Sequence, residues 1–213
     1  MGNREETRCT AFEGGRCIAS GALPQVVRET KEVIDRGEQA PVLIFDDVTS
    51  EQIEVDFRGS AEDVLKRLGE TASAGAQAPP DRDAPRGPGR PKLGVVAREV
   101  TLLPRHWDWL NGQPGGASVA LRKLVEEARR VNEGRDRARR SQEAAYRFMS
   151  AVAGNLPGFE EATRALFARN PGRFEDLIRD WPEDVRTHLT RLVRESMRPE
   201  GAGTPLDTPP ETN

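Results

Sequence analysis

Residues 85–130 read PRGPGRPKLGVVAREVTLLPRHWDWLNGQPGGASVALRKLVEEARR. A start rich in Pro, Gly and Arg leads into a β-like run at 98–103, and Pro104 then opens a short helix. A turn rich in glycine and proline follows, and a second helix begins near Ser118 with apolar residues on one face. A strand and two helices in about 35 residues are too small to bury a core of their own. We therefore expect the segment to pair with a second copy of itself.

This order of elements resembles the ribbon-helix-helix family of bacterial DNA-binding proteins. The similar runs are LLPRHWDWL at 102–110 and GGASVALRKLV at 115–125. The resemblance implies that two strands pair between subunits and lie in the major groove of duplex DNA. It also implies that the N-terminus of the second helix contacts a phosphate. The function expected from it is that of a homodimeric DNA-binding protein, a transcriptional regulator.

The wider chain also resembles a group of bacterial proteins known as domain of unknown function 2239, over most of residues 1–198. That resemblance implies a bacterial cytoplasmic protein and supplies no activity. The first twenty residues lack the apolar core of a signal peptide. No run reaches the roughly 18 apolar residues of a membrane span. We therefore expect a cytoplasmic protein without a membrane partner.

Charge is distributed unevenly along the chain. Residues 86–147 carry 14 basic and 7 acidic side chains, whereas residues 1–85 carry 10 and 17 and residues 148–213 carry 8 and 11. A basic centre between acidic ends is typical of a surface that binds nucleic acid; solvated arginine-rich helix faces are the other interpretation. The GRPK run at 89–92 resembles an AT-hook, which reads narrow minor grooves. The predicted DNA contacts are Arg90, Lys92, Arg98, Arg105, Gly116, Ser118, Arg122 and Lys123.

The predicted strand reads base edges poorly in either of its two registers. If Leu103 faces inward, Arg98 is the one base-reading candidate left for the groove. If the register slips by one residue, Glu99 and Thr101 face the DNA. A glutamate repels phosphate and accepts a hydrogen bond only from cytosine N4. An alternative therefore stays open: a structural or partner-binding protein that uses the segment only for dimerisation.

Hydrophobic periodicity predicts an α+β protein. Residues 7–69 form a small ββαββα domain that begins with a hairpin at Gly14 and Gly15, with both helices on one side of the sheet. Ser60 and Asp63 are placed to cap a helix, and Ser118 occupies an N-cap position. The other predicted parts are a Pro/Gly/Arg-rich linker at 70–91, a ribbon-helix-helix-like segment at 92–130, a helical region at 131–198 and a disordered tail at 199–213.

Some predictions concern single elements. Alternating apolar and acidic residues predict a half-buried strand at 53–57. The two-residue turn of the hairpin places Cys9 opposite Ser20. Three prolines are each expected to open a helix of the C-terminal region, and Gly134 allows a kink or a break in the long helix before them. These prolines are Pro157, Pro171 and Pro182.

Few side chains suit catalysis. His106 and His188 are far apart in sequence, and neither has a His or Cys neighbour at ligand spacing. A two-residue hairpin turn puts Cys9 and Cys17 on opposite faces, so we expect no bond between them. Acidic residues at 46–56 would suit Mg²⁺ or acid–base work if the chain were an enzyme, but a solvated turn explains them more simply. We expect no enzymatic activity, no cofactor and no metal.

Overall fold

A computed structural model describes residues 7–37, 40–75, 96, 98–194 and 196–197. The chain forms two compact units, residues 1–76 together with 135–213, and residues 77–134. The described residues form three strands and seven helices, so the α+β class predicted from the sequence is confirmed. None of these helices combines the length and the apolar character needed to cross a membrane. The elements are β1 (Arg8–Glu13), β2 (Arg16–Ala22), α1 (Leu23–Asp35), β3 (Val42–Asp46), α2 (Ala61–Gly75), α3 (Pro104–Asn111), α4 (Gly116–Val152), α5 (Phe159–Phe167), α6 (Pro171–Leu177) and α7 (Glu183–Val193).

The three strands form an antiparallel sheet in the order β2-β1-β3. The predicted hairpin is confirmed, because Gly14 turns the chain at φ 56° and Phe12 lies opposite Cys17. A bulge at Ile18 of β2 shifts the register and places Cys9 opposite Gly21. The bulge adds one residue to β2, so the expected pairing of Cys9 with Ser20 is wrong by one position. Both cysteines are free thiols.

The predicted strand at 53–57 does not form, so the expected ββαββα order is corrected to ββαβα. A single bridge joins Gln52 to Phe45. The Asp56 carboxylate then accepts a hydrogen bond from the Arg58 backbone N–H at 3.1 Å. An Asp that bonds the backbone two residues ahead makes a turn, which ends a strand ladder. The apolar side chains of this stretch still pack beside the sheet: Ile53, Val55 and Phe57.

Helices α1 and α2 pack against each other, and α1 also packs on β1 and β2. The predicted cap of α2 is confirmed: the Ser60 hydroxyl accepts from the Asp63 N–H at 3.2 Å. The Asp63 carboxylate in turn accepts from the Ser60 N–H at 3.0 Å. This reciprocal pair satisfies two N–H groups that a helix start leaves free. The buried cluster formed here by helices and sheet is Cys9, Ala11, Ala19, Leu23, Val26, Val27, Ile44 and Val64.

Helix α4 runs unbroken through Gly134, where the sequence allowed a kink or a break. Two of the prolines expected to open helices do so, since Pro171 is the first residue of α6 and Pro182 is the N-cap of α7. Pro fits these positions because the first N–H groups of a helix have no partner within it. Helix α5 begins at Phe159, two residues after the third such proline, Pro157.

The N-terminal sheet and the C-terminal helices share one hydrophobic core. The Phe12 and Phe45 rings lie 5.0 Å and 5.2 Å from the Phe148 ring of α4, measured between centroids. The sequence divides these residues between regions 7–69 and 131–198, with helices on one side of the sheet only. The structure covers both sides, because successive side chains of a strand point to opposite faces and β1 is buried on both.

Candidate nucleic-acid interface

Two glycines with left-handed backbone build the start of α4. Gly115 has a φ of 87° and Gly116 a φ of 73°, a region that residues with a Cβ rarely adopt. The helix therefore begins at Gly116, and Ser118 lies within the first turn instead of at the predicted N-cap. The Ser118 hydroxyl accepts a hydrogen bond from the Arg122 guanidinium at 2.9 Å. The first turn carries no acidic residue, so no carboxylate competes for its free N–H groups.

The predicted basic contacts of this unit that the structure describes are all exposed: Arg98, Arg105, Arg122 and Lys123. Among the described residues, none of them has a carboxylate partner. The next two arginines of α4 differ in this respect. Arg129 pairs with Glu126 at 3.0 Å. Arg130 pairs with Glu127 at 2.8 Å, so both of these charges are locally compensated.

The remaining predicted contacts are not brought to this helix start. Arg90 and Lys92 lie outside the described residues. In the part of the chain that is described, no hydrogen bond joins Arg98 or Arg105 to the first turn of α4.

Residues 98–103 form no strand in the single chain. Val100 and Leu103 are 53% and 49% exposed, and Leu102 is half-buried. A strand needs a neighbour for its N–H and C=O groups. The predicted ribbon would have that neighbour only in a second copy, so neither of its two registers is tested by one chain.

A partly buried polar cluster joins β1 and the turn after β3 to α7. The Asp47 carboxylate accepts hydrogen bonds from the Thr10 hydroxyl at 2.6 Å and from both terminal nitrogens of Arg191 at 3.0 Å. Arg191 also bonds Nδ1 of His188 at 3.1 Å. Burial favours a higher pKa for Asp47, but the bonds from Arg191 and Thr10 outweigh it and lower the pKa. No local pattern predicts this cluster, because Asp47 and Arg191 are 144 residues apart and a solvated turn explains the acidic residues at 46–56.

The acidic and thiol groups of the N-terminal sheet and its turns have structural roles. The Asp46 carboxylate holds a turn by accepting from the N–H groups of Val48 and Thr49 at 2.8 Å and 2.7 Å. Burial raises the pKa of Cys9 to about 12 and also raises that of Cys17, so both thiols stay protonated and are weak nucleophiles. Within the described ranges, no group of three or more His, Cys, Asp or Glu side chains is placed to hold a metal ion.

Comparison with known proteins places the chain in a family without assigning it an activity. No curated protein matches the chain. No solved structure matches it either. A family model described as "Uncharacterized protein conserved in bacteria (DUF2239)" matches residues 8–193. Because the match covers most of the sequence, the chain belongs to the DUF2239 family of bacterial proteins.

Proposed function

We propose that this protein is a homodimeric DNA-binding protein, a transcriptional regulator that uses residues 92–130 in the manner of a ribbon-helix-helix protein. The observation that carries the proposal is the first turn of α4. There, left-handed Gly115 and Gly116 start a helix with no acid in its first turn. Arg122 and Lys123, neither with a carboxylate partner in the described chain, follow within two turns.

Such a helix start suits a DNA phosphate for two physical reasons. Its free N–H groups point at the anion, and the helix dipole adds about half a positive charge at this end. Arg122 contributes a full charge, and its bond to Ser118 orients the guanidinium toward the start of the helix. Contacts of this kind to the phosphate backbone of DNA give affinity but do not recognise a base sequence. The binding should therefore weaken steeply as salt rises.

The homodimer is supported by the scarcity of buried apolar side chains in the unit of residues 77–134. Among its described residues, only Leu110 and Ala120 are buried hydrophobics. A folded segment with so small a core gains too little from burial to offset the entropy of ordering it. Covering the exposed apolar side chains against a partner supplies that missing burial. They are Val96, Val100, Leu103, Trp109, Leu124, Val125 and Val131.

The alternative function, a protein that uses this segment only to dimerise, is favoured by one observation. Val100, two residues after the proposed base-reading position Arg98, is 53% exposed and apolar. An apolar side chain in the major groove contacts only the thymine methyl group, so it reads little sequence. The two functions share the dimer and differ in DNA affinity, which one experiment measures directly.

We expect gel retardation of random and A·T-rich duplexes at low salt, with binding lost at high salt. The double variant Arg122→Gln/Lys123→Gln should weaken binding at least tenfold. It should also flatten the plot of log K against log salt by about 3.6, since the dimer loses four cationic side chains and each phosphate contact contributes roughly 0.9 to its slope. Arg28→Gln is the matched control, because Arg28 is an exposed arginine on α1 in the other unit. It should bind like the wild type.

A wild-type dimer that ignores both duplexes at low salt would overturn the DNA proposal and favour the dimerisation-only function. Equal loss of binding in the Arg28→Gln control would also contradict it, because affinity would then follow total charge and not the start of α4. Tighter binding of the wild type to the A·T-rich duplex than to the random one would support a minor-groove contribution from the GRPK run at 89–92.

A further inference from the structure

The N-terminal half of α4 carries an uncovered stripe of apolar side chains at alternating three- and four-residue steps. Leu121, Leu124, Ala128 and Val131 occupy it. Leu124 is 48% exposed and Val131 is 67% exposed, while Ala128 is exposed and Leu121 half-buried. Steps of three and four residues place side chains along one line when two helices wind around each other. The spacing is therefore that of the inner positions of a two-helix coiled coil.

The charged residues of the same half keep clear of this stripe. In heptad terms, six of the seven occupy the outer positions, and only Glu127 flanks the inner ones. Glu127 is compensated by Arg130 in its own helix at 2.8 Å. Two identical helices can thus approach along the stripe without burying a charge or meeting like charges that lack a partner. The outer residues are Arg122, Lys123, Glu126, Arg129, Arg130 and Glu133.

Further along the helix, the same spacing is covered by the chain itself. Ala138, Ala145 and Met149 continue the steps of three and four, and all three are buried. The side chain of Gln142, between them, donates to the Leu166 carbonyl at 2.8 Å. Arg135 separates the covered part of the stripe from the uncovered part. One helix therefore has a stripe that its own core buries in one half and that is mostly exposed in the other.

We infer that Leu121, Leu124, Ala128 and Val131 form a seam along which α4 pairs lengthwise with α4 of a second copy. This inference rests on the homodimer of the proposed function and deepens it by naming the partner surface. A second copy fits because the inner positions are small or aliphatic and uncharged. Two identical helices can therefore bury these side chains against each other. The seam reaches Val131, beyond the 92–130 segment, and does not require DNA.

The test is the oligomeric state of the full chain, measured by light scattering and sedimentation equilibrium without DNA. Val131→Asp puts a charge into the seam and should raise the dimer dissociation constant at least 100-fold. Arg129→Asp is the matched control at an outer position, with a larger change of charge, and should change it less than threefold. Val131→Leu should keep the dimer. Circular dichroism checks that each variant stays folded, as the exposure of Val131 in one chain predicts.

Three outcomes would contradict the inference, and the first two differ in whether the homodimer of the proposed function also fails. If Val131→Asp remains as dimeric as the wild type, the seam is wrong, while a dimer held by residues 98–130 still stands. If the wild type is a monomer at micromolar concentration, both the seam and the homodimer of the proposed function fail. A fall in affinity as large for Arg129→Asp as for Val131→Asp would also count against the seam, since net charge would then explain both.

Discussion

Phe148→Ala should lower the free energy of unfolding by about 3–5 kcal/mol, the cost of removing a buried aromatic ring and leaving a cavity. The Phe148 side chain is fully buried on α4. Its ring centroid lies 5.0 Å from that of Phe12 and 5.2 Å from that of Phe45, on two strands of the sheet. It also lies 4.4 Å from the imidazole of His188 on α7. One substitution thus removes contacts that join the sheet, α4 and α7.

Urea unfolding measured by far-ultraviolet circular dichroism and by tryptophan fluorescence gives the size of this effect. Tyr146→Ala is the matched control on the same helix, because Tyr146 is 42% exposed and its ring contacts only that of Phe167 among the described aromatic pairs. The control should cost about 1 kcal/mol. A cost below 1 kcal/mol for Phe148→Ala, or a sheet that unfolds separately from the helices, would contradict a shared core.

Local patterns predicted most of the elements but not the way they come together. The Ser60–Asp63 cap and the Pro171 helix start are local, because both partners lie within one turn of each other. The core around Phe148 depends on residues more than 100 positions apart, and periodicity contains no information about such pairs. The same limit explains the wrong strand at 53–57, where alternation was present but the Asp56 turn decided the backbone.

The candidate site was predicted in its composition and missed in its geometry. The sequence indicated the basic residues and the glycine turn before α4. It placed the helix start near Ser118, because N-cap preferences concern side chains that accept hydrogen bonds. The two left-handed glycines start the helix earlier without such a side chain. The bond from Arg122 to Ser118 follows from that shift, since a serine inside the first turn faces the residue four positions on.

Acid should destabilise the protein between pH 6.5 and about 4, before most carboxylates are protonated, because of His188. Burial, and then the nearby charge of Arg191, lower the pKa of His188 to about 4, while Asp47 acts to raise it. Arg191 only donates hydrogen bonds, so Nδ1 of His188 accepts and the proton is on Nε2. Protonation would place an N–H donor on Nδ1, opposite the Arg191 guanidinium, which can only donate. The charged ring would also lie against the aromatic rings of Phe12 and Phe148. The folded state therefore binds this proton less readily than the unfolded chain.

The sign and size of the effect follow from proton linkage. The unfolded chain takes up the proton near pH 6.5 and the folded chain only near 4. The stabilising contribution of neutral His188 is thus fully present above pH 6.5. The free energy of unfolding falls by about 3 kcal/mol as the pH drops to 4, at roughly 1.4 kcal/mol for each unit of difference in pKa. The pKa of Asp47 is lowered from 3.8, so its contribution is lost only below that pH, outside the window. The free energy of unfolding in urea, measured in half-unit steps from pH 7.5 to 4, follows the loss.

His188→Gln is the variant that isolates this group, because glutamine can accept from Arg191 and has no proton to gain in this range. The variant should be less stable than the wild type at pH 7, since it gives up ring contacts with Phe12 and Phe148. Its stability should nevertheless change much less between pH 6.5 and 4, so that the two curves converge in acid. If the variant keeps the full slope of the wild type in that window, then the buried imidazole is not its source, and groups other than His188 account for the sensitivity to acid.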